Sequence, residues 1–225
     1  MNKADRAFGI VDRDFHISDP DLLESGHCYV LEVYSFENFL AEKDFLIDLG
    51  KHFFALEVGS EASIDWDRRV DLFLHSVALS FVDEHAVAYW CHKNSKICQL
   101  ENFDVCGVVV ITSDGKVEKN PNGRDIFVSE TKADISALSV EELKACALEL
   151  SSLPWQRAFR GHYFLKLLVK FINGFRADLD ASYKECGYNR TRTRAELSER
   201  HIIEGATPFV PLSASLERFF TSIVT

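Results

Sequence analysis

Hydrophobic positions along this chain follow two periods, and the change between them divides it. Residues 7–12 (AFGIVD) are nearly all apolar, the pattern of a short strand buried on both faces as in a parallel sheet. Residues 16–26 (HISDPDLLESG) are turn-rich, and 28–34 (CYVLEVY) read as a second strand. From Ser35 the period lengthens. Ser35 is placed to cap a helix over 36–48, where Phe36, Phe39, Leu40, Leu46 and Ile47 form a stripe with Phe45 beside it. A long helical pattern covers 65–92, with Val70, Phe73, Leu74, Val77 and Phe81 at three- and four-residue steps. Residues 105–111 (VCGVVVI) read as a third buried strand or as an interior helix turn. The stretch 113–125, with its Asp-Gly and Asn-Gly pairs, is predicted as a loop. Ser139 caps a helix over 140–151, with Glu142 completing a capping box. Gly161 opens a helix over 161–175, a helical pattern resumes within 189–204, and a last short helix is predicted over 213–223. The expected architecture is a short α/β start, residues 1–112, followed by a mostly helical part, residues 113–225.

Composition narrows the function classes. About half of the 225 residues are hydrophobic, 18 of them Phe, enough for a sizeable core. The formal charge of −10 argues against a protein that coats nucleic acid through bulk basicity. It leaves room for one that acts on nucleic acid through metal ions and a local basic patch. The six cysteines include no CxxC pair and follow a charged N-terminus without a signal peptide, so reduced thiols and a cytoplasmic location are expected. His85, Cys91, His92 and Cys98 cluster loosely, at a spacing that fits no common zinc pattern. No apolar run approaches the ~20 residues of a membrane span. Trp66, Trp90 and Trp155 are expected in the core or at an interface.

The chemistry concentrates at Asp12-Arg13-Asp14, directly after the first apolar run. On a strand, residues two apart face the same way, so both carboxylates would converge at its carboxyl end, where open α/β sheets bind ligands. Converging carboxylates suit Mg²⁺ or Mn²⁺, which can polarise a phosphate and activate water. Aspartates after a strand also serve simply as turn formers. Glu37 is an acid early in a helix, favoured there by the helix dipole or placed there for function. His162 lies in the first turn of an apolar helix. Arg190, Arg192 and Arg194 alternate with threonines, suited either to phosphate contacts or to a solvated helix start neutralised by Glu196, Glu199 and Glu204.

Three segments together resemble a known family. GIVDRDF (9–15) resembles the D-x-D strand of Toprim domains, found in topoisomerases, primases and OLD-type nucleases. SFENFL (35–40) resembles the E-N-[YF]-L segment of one Toprim-like bacterial family, and RGHYFL (160–165) resembles the G-H element of that family's helical part. The resemblance implies a Toprim-like (Rossmann-like) parallel sheet and Mg²⁺- or Mn²⁺-dependent cleavage of RNA or DNA. It also implies an ABC/SMC-like ATPase partner in anti-phage defence. Asp12, Asp14 and Glu37 would be catalytic metal ligands, with His162 a further catalytic residue and Asn38 near them. Toprim domains also carry a glutamate on an earlier strand, and only Met1–Phe8 precede the D-x-D strand here. The expectation is therefore an incomplete sheet and an inactive form. Neither Glu101 nor Glu130 lies in a context that supplies the glutamate. An exposed sheet edge would favour a homo-oligomer or a complex with the ATPase. Phe164, Phe171, Phe175, Phe219 and Phe220 are expected to add docking surface. The alternative is a module without catalysis that docks on an ATPase or on itself.

Overall fold

In a computed structural model of the protein, which describes residues 9–15, 28–101, 103–186, 196–206 and 221, the two early apolar runs do pair. Strand β1 (Gly9–Val11) lies parallel to β2 (Cys28–Val30), with Gly9 opposite Cys28 and Val11 opposite Val30. The sheet has these two short strands, and β2 stops well before residue 34 because the chain bends over 32–35. A second sheet pairs β3 (Val109–Ile111) antiparallel with β4 (Val117–Lys119). The rest of the described chain is mostly helical.

The predicted helix over 36–48 is two elements. A 3₁₀ helix spans Phe36–Ala41, and α1 (Lys43–Phe54) follows, with the break at the extended Glu42. The long pattern at 65–92 likewise divides into α2 (Glu61–Ser80) and α3 (Val82–Lys93). Phe81 makes the break, at φ −126° and ψ 7°. Its ring is fully buried among Phe103, Phe127, Phe159, Tyr163 and His85, with centroids 4.8–6.1 Å away. Next to it, the Ser80 hydroxyl donates to the Val117 carbonyl at 2.6 Å, and the Val117 N–H donates to Ser76 Oγ at 2.8 Å. Those two serines thus satisfy both backbone polar groups of Val117, the first residue of β4.

The segment 105–111 is neither a single buried strand nor a helix turn. It is a 3₁₀ turn (Val105–Gly107) leading into β3. The predicted loop 113–125 contains β4 and the start of α4 (Gly123–Thr131). The Asp-Gly pair sits in the tight turn of this hairpin, where Gly115 takes φ +90° and the Thr112 N–H donates to the Lys116 carbonyl at 2.9 Å. Helix α5 (Val140–Ser151) starts with the predicted capping box: Glu142 N–H donates to Ser139 Oγ at 3.1 Å, and Ser139 N–H to Glu142 Oε2 at 2.9 Å. After the short α6 (Trp155–Ala158), α7 runs from Gly161 to Glu185, and α8 covers Glu199–Ala206. The predicted helix at 213–223 lies outside the described residues, apart from Thr221.

Helix α7 is the central member. Phe164, Phe171 and Phe175 are at most 4 % exposed, so these three belong to the core and not to a docking surface. They fall on the stripe that α7 buries against the other helices. Phe219 and Phe220 lie outside the described residues. Trp66 joins α1, α2 and α7. Its ring packs on Phe54, Phe171 and Phe175 at 4.9–5.6 Å, and its indole N–H donates to the Leu46 carbonyl at 3.2 Å. The α1 backbone approaches this ring so closely that a Cβ on Gly50 would sit 2.0 Å from it. The ring cluster therefore runs continuously across residue 112. Trp90 is also buried, and Trp155 is partly buried against the cluster. Among the described residues no helix is long and apolar enough to cross a membrane.

Candidate functional site

The three segments singled out in the sequence meet in space. Strand β1 ends at Val11, and the chain turns at once: Asp14 has φ +47°, and its N–H donates to the Tyr34 carbonyl at 3.0 Å. Strand alternation therefore does not orient Asp12 and Asp14, contrary to expectation, because both lie past the strand end. Both are exposed, and Arg13 between them is buried, its Nε–H donating to the Leu31 carbonyl at 2.9 Å. That bond ties the exit of β1 to the exit of β2.

Asp12 faces the start of the 3₁₀ helix. Its Oδ1 accepts the Phe36 N–H at 3.3 Å, so the carboxylate partly serves as a helix-end acceptor. Its pKa is raised, first by burial, then by the negative charge of Glu37. Asp14 adds to the rise, while the Phe36 N–H and the Arg160 guanidinium oppose it. Asp12, Asp14 and Glu37 thus form one acidic face, with Arg160 close enough to be felt.

Beneath that face is a buried polar joint. The Asn38 side-chain oxygen accepts both the Ser35 N–H and the Ser35 hydroxyl at 3.1 Å, and its amide N–H donates to the Phe159 carbonyl at 2.9 Å. The first N–H of α7, on Gly161, donates to Ser35 Oγ at 3.1 Å. Ser35 therefore caps its own 3₁₀ helix and also accepts from the start of α7. The fit requires glycine: a Cβ on residue 161 would lie 2.3 Å from Ser35 Oγ and 2.6 Å from Asn38 Oδ1. Asn38 and Gly161 are accordingly structural in the described contacts.

One residue earlier, the Arg160 N–H donates to Nε2 of the buried His85 at 3.0 Å. The bond needs a neutral imidazole with its proton on Nδ1. The His85 ring stacks on Phe159 at 4.7 Å. Burial, and secondarily the Arg160 charge, lowers its pKa to about 3. Because the folded value lies below the ordinary ~6.5, the stabilisation is complete above pH ~6.5 and is lost as pH falls toward 3. The unfolding free energy of the wild type should therefore fall on the order of 1 kcal/mol per pH unit through that window. His85→Gln should flatten the slope. Burial pushes Glu84 the other way, so the difference between the two proteins isolates His85. Equal slopes in urea titrations between pH 6.5 and 4 would refute the assignment.

His162 does not join the acidic face through an ion pair; its Nδ1 lies 4.0 Å from Glu199 Oε2 of α8. Arg190, Arg192 and Arg194 lie outside the described residues. Among the described residues, Arg160 is a basic group whose charge acts on Asp12, and its guanidinium lies 5.5 Å over the Tyr163 ring. It stands in the RGH segment, but nothing in the local sequence marks it for that role. The oxygen donors of Asp12, Asp14 and Glu37 are the type that holds Mg²⁺. Yet among the described residues no three His, Cys, Asp or Glu lie close enough together to hold a metal ion, and His85, Cys91, His92 and Cys98 form no such group either. The donor set suits the metal in kind and not in placement, so no catalytic step follows from these residues alone. In comparisons with known proteins, no family model matches the chain and no curated protein matches it.

Proposed function

We propose that this chain is a Toprim-like nuclease effector of bacterial anti-phage defence, similar to the Toprim nuclease of the PARIS system. Its acidic face would take part in Mg²⁺- or Mn²⁺-dependent hydrolysis of RNA or DNA phosphodiesters, under the control of an ABC/SMC-like ATPase. The observation that carries this reading is the junction of segments 12–14, 35–38 and 160–161. They are far apart in sequence, and they are the same segments that carry the family resemblance. Arg160, whose charge is felt at Asp12, is of the residue type that holds a phosphate.

A divalent ion should bind weakly, because two or three exposed carboxylates do not close a site. Calorimetric titration with Mn²⁺ should give weak binding by the wild type and none by Asp12→Asn. Asp12→Asn should leave the metal-free thermal midpoint unchanged or slightly higher, since the raised pKa means that the charge is unfavourable in the fold. Equal Mn²⁺ binding by both proteins would reject the metal site. For the nuclease itself the test is Mg²⁺-dependent cleavage of RNA and DNA: with its incomplete set of carboxylates the chain alone should cut neither, and any cleavage gained on co-purification with an ABC/SMC-like ATPase should be lost in Asp12→Ala.

The second reading is an assembly module without catalysis, docking on an ATPase or on a second copy. It is favoured by the structural use of Asp12, whose Oδ1 already accepts the Phe36 N–H. A complex that forms equally well with Asp12→Asn, without cleavage, would select it.

A further inference from the structure

A cavity of about 180 Å³ lies where the turn of the β3–β4 hairpin meets α2 and α7. Arg69 of α2, Ser113 of the turn, and Lys170, Gly174 and Asp178 of α7 line it, together with the rings of Phe171 and Phe175. The turn is seated firmly: a Cβ on Gly115 would lie 2.9 Å from Arg69 Cβ and from the Phe171 ring. Arg69 is held in place before any ligand arrives. Its side chain is 14 % exposed, its Nε–H donates to Asp65 Oδ2 at 2.7 Å and its Nη1–H to Asp178 Oδ2 at 2.6 Å, and its guanidinium sits 5.2 Å over the Phe175 ring. Asp65 is shared with Arg68, whose Nη2–H donates to it at 2.6 Å. Lys170 is exposed and forms no ion pair among the described residues. The lining thus carries two cations and one carboxylate, in a chain of net charge −10.

Gly174 is the second observation. It stands inside the 25-residue helix α7, where glycine weakens the helix. Gly50 and Gly161 have a packing reason for lacking a side chain; Gly174 has none, since a Cβ there would meet no atom within 4 Å. Its missing side chain leaves the wall of the cavity open. We propose that this cavity binds the phosphate group of a phosphomonoester, with Lys170 and Arg69 as its cationic partners and the Ser113 hydroxyl as a further donor. Arginine and lysine side chains are the usual phosphate partners, and an arginine already fixed by its neighbours loses little freedom on binding. At ~30 Å³ per water, the volume is that of about six waters, more than a free phosphate ion fills. The remaining space borders Phe171, Phe175 and the bare backbone at Gly174, which fits the sugar that carries the phosphate. The site lies ~20 Å along α7 from Gly161 and uses none of the acidic residues near it.

The test is calorimetric titration of the full chain at low ionic strength in EDTA, which keeps metal-dependent binding at the acidic face out of the result. Ribose 5-phosphate and adenosine monophosphate should bind, inorganic phosphate at least tenfold more weakly, and adenosine not at all. Lys170→Gln, at an exposed position, should weaken ribose 5-phosphate binding about tenfold or more. Gly174→Leu should abolish it by filling the cavity, with a thermal midpoint no lower than that of the wild type. Gly174→Ala should raise the midpoint by about 2–4 °C. The proposal is overturned if neither phosphate ester binds, if adenosine or inorganic phosphate binds as tightly as the esters, or if Lys170→Gln binds them as the wild type does.

Discussion

Alanine at position 161 should lower the unfolding free energy by about 3 kcal/mol and separate the acidic face from α7. The methyl group would enter a space already filled by Ser35 Oγ and Asn38 Oδ1, with the Glu37 Cβ 3.0 Å away. Both oxygens are fixed, because each is engaged in buried hydrogen bonds. To admit the methyl group, the 3₁₀ helix must move off the end of α7. That movement breaks the Gly161–Ser35 bond and strains the bond from Asn38 to Phe159. The usual helix-propensity gain of alanine over glycine, ~1 kcal/mol, offsets only part of this cost. Urea unfolding of Gly161→Ala checks the size. A double-mutant cycle with Ser35→Ala checks the cause: removing the nearest atom should recover part of the loss, giving a coupling energy of about 1 kcal/mol. If Gly161→Ala is as stable as the wild type, the joint is looser than these distances require.

Trp66→Ala should cost about 3–5 kcal/mol, the largest stability loss expected from one side chain here. The ring is fully buried, contacts aromatic rings from two other helices, and gives its N–H to an α1 carbonyl. Its removal leaves a cavity where three helices meet. The identity of the cause can be read from Gly50. In the wild type, Gly50→Ala should destabilise, since its Cβ would overlap the Trp66 ring. In the Trp66→Ala background the same change should become neutral or stabilising, because the obstacle is gone and alanine favours the helix. Chemical denaturation of the four proteins tests this reversal of sign, and the idea fails if Gly50→Ala destabilises both backgrounds equally.

What the sequence made legible depended on how far each determinant lay from the residues it governs. The capping box at Ser139–Glu142 needs partners three residues apart, and it was readable from four letters. The start of α7 at Gly161 and the strand character of the first two apolar runs were legible for the same local reason. The break at Phe81 was not. Its aromatic periodicity continues the helical stripe of α2, and only the ring cluster from residues 103–163 pulls the backbone out of register. Strand β4 was hidden because Val-Glu-Lys has one buried position, and its first residue is held by two serines of α2 about forty residues earlier. The Asp-Gly pair did mark the turn, and its second strand passed for loop. At the site, Asp12 and Glu37 were legible as acids beside one another through the resemblance. Buried Arg13, the double use of Ser35 and the Arg160 charge were not, since their meaning lies in contacts from distant segments.

The joint under the acidic face also sets when that face can exist. Its defining bonds span 126 residues from Ser35 to Gly161, 121 from Asn38 to Phe159 and 75 from His85 to Arg160. Closing loops of that length costs entropy before any contact repays it, so this corner is an end product of folding and not one of its nuclei. During synthesis, Asp12, Asp14 and Glu37 emerge more than a hundred residues ahead of the segment that organises them. A nascent chain carries the acidic residues without the support of α7, and the assembled face appears only after residue 161 has left the ribosome. In the finished protein, the Gly161 amide should then exchange its hydrogen only when the whole structure opens. That links the integrity of the candidate site to global stability and not to the local order of the first strand.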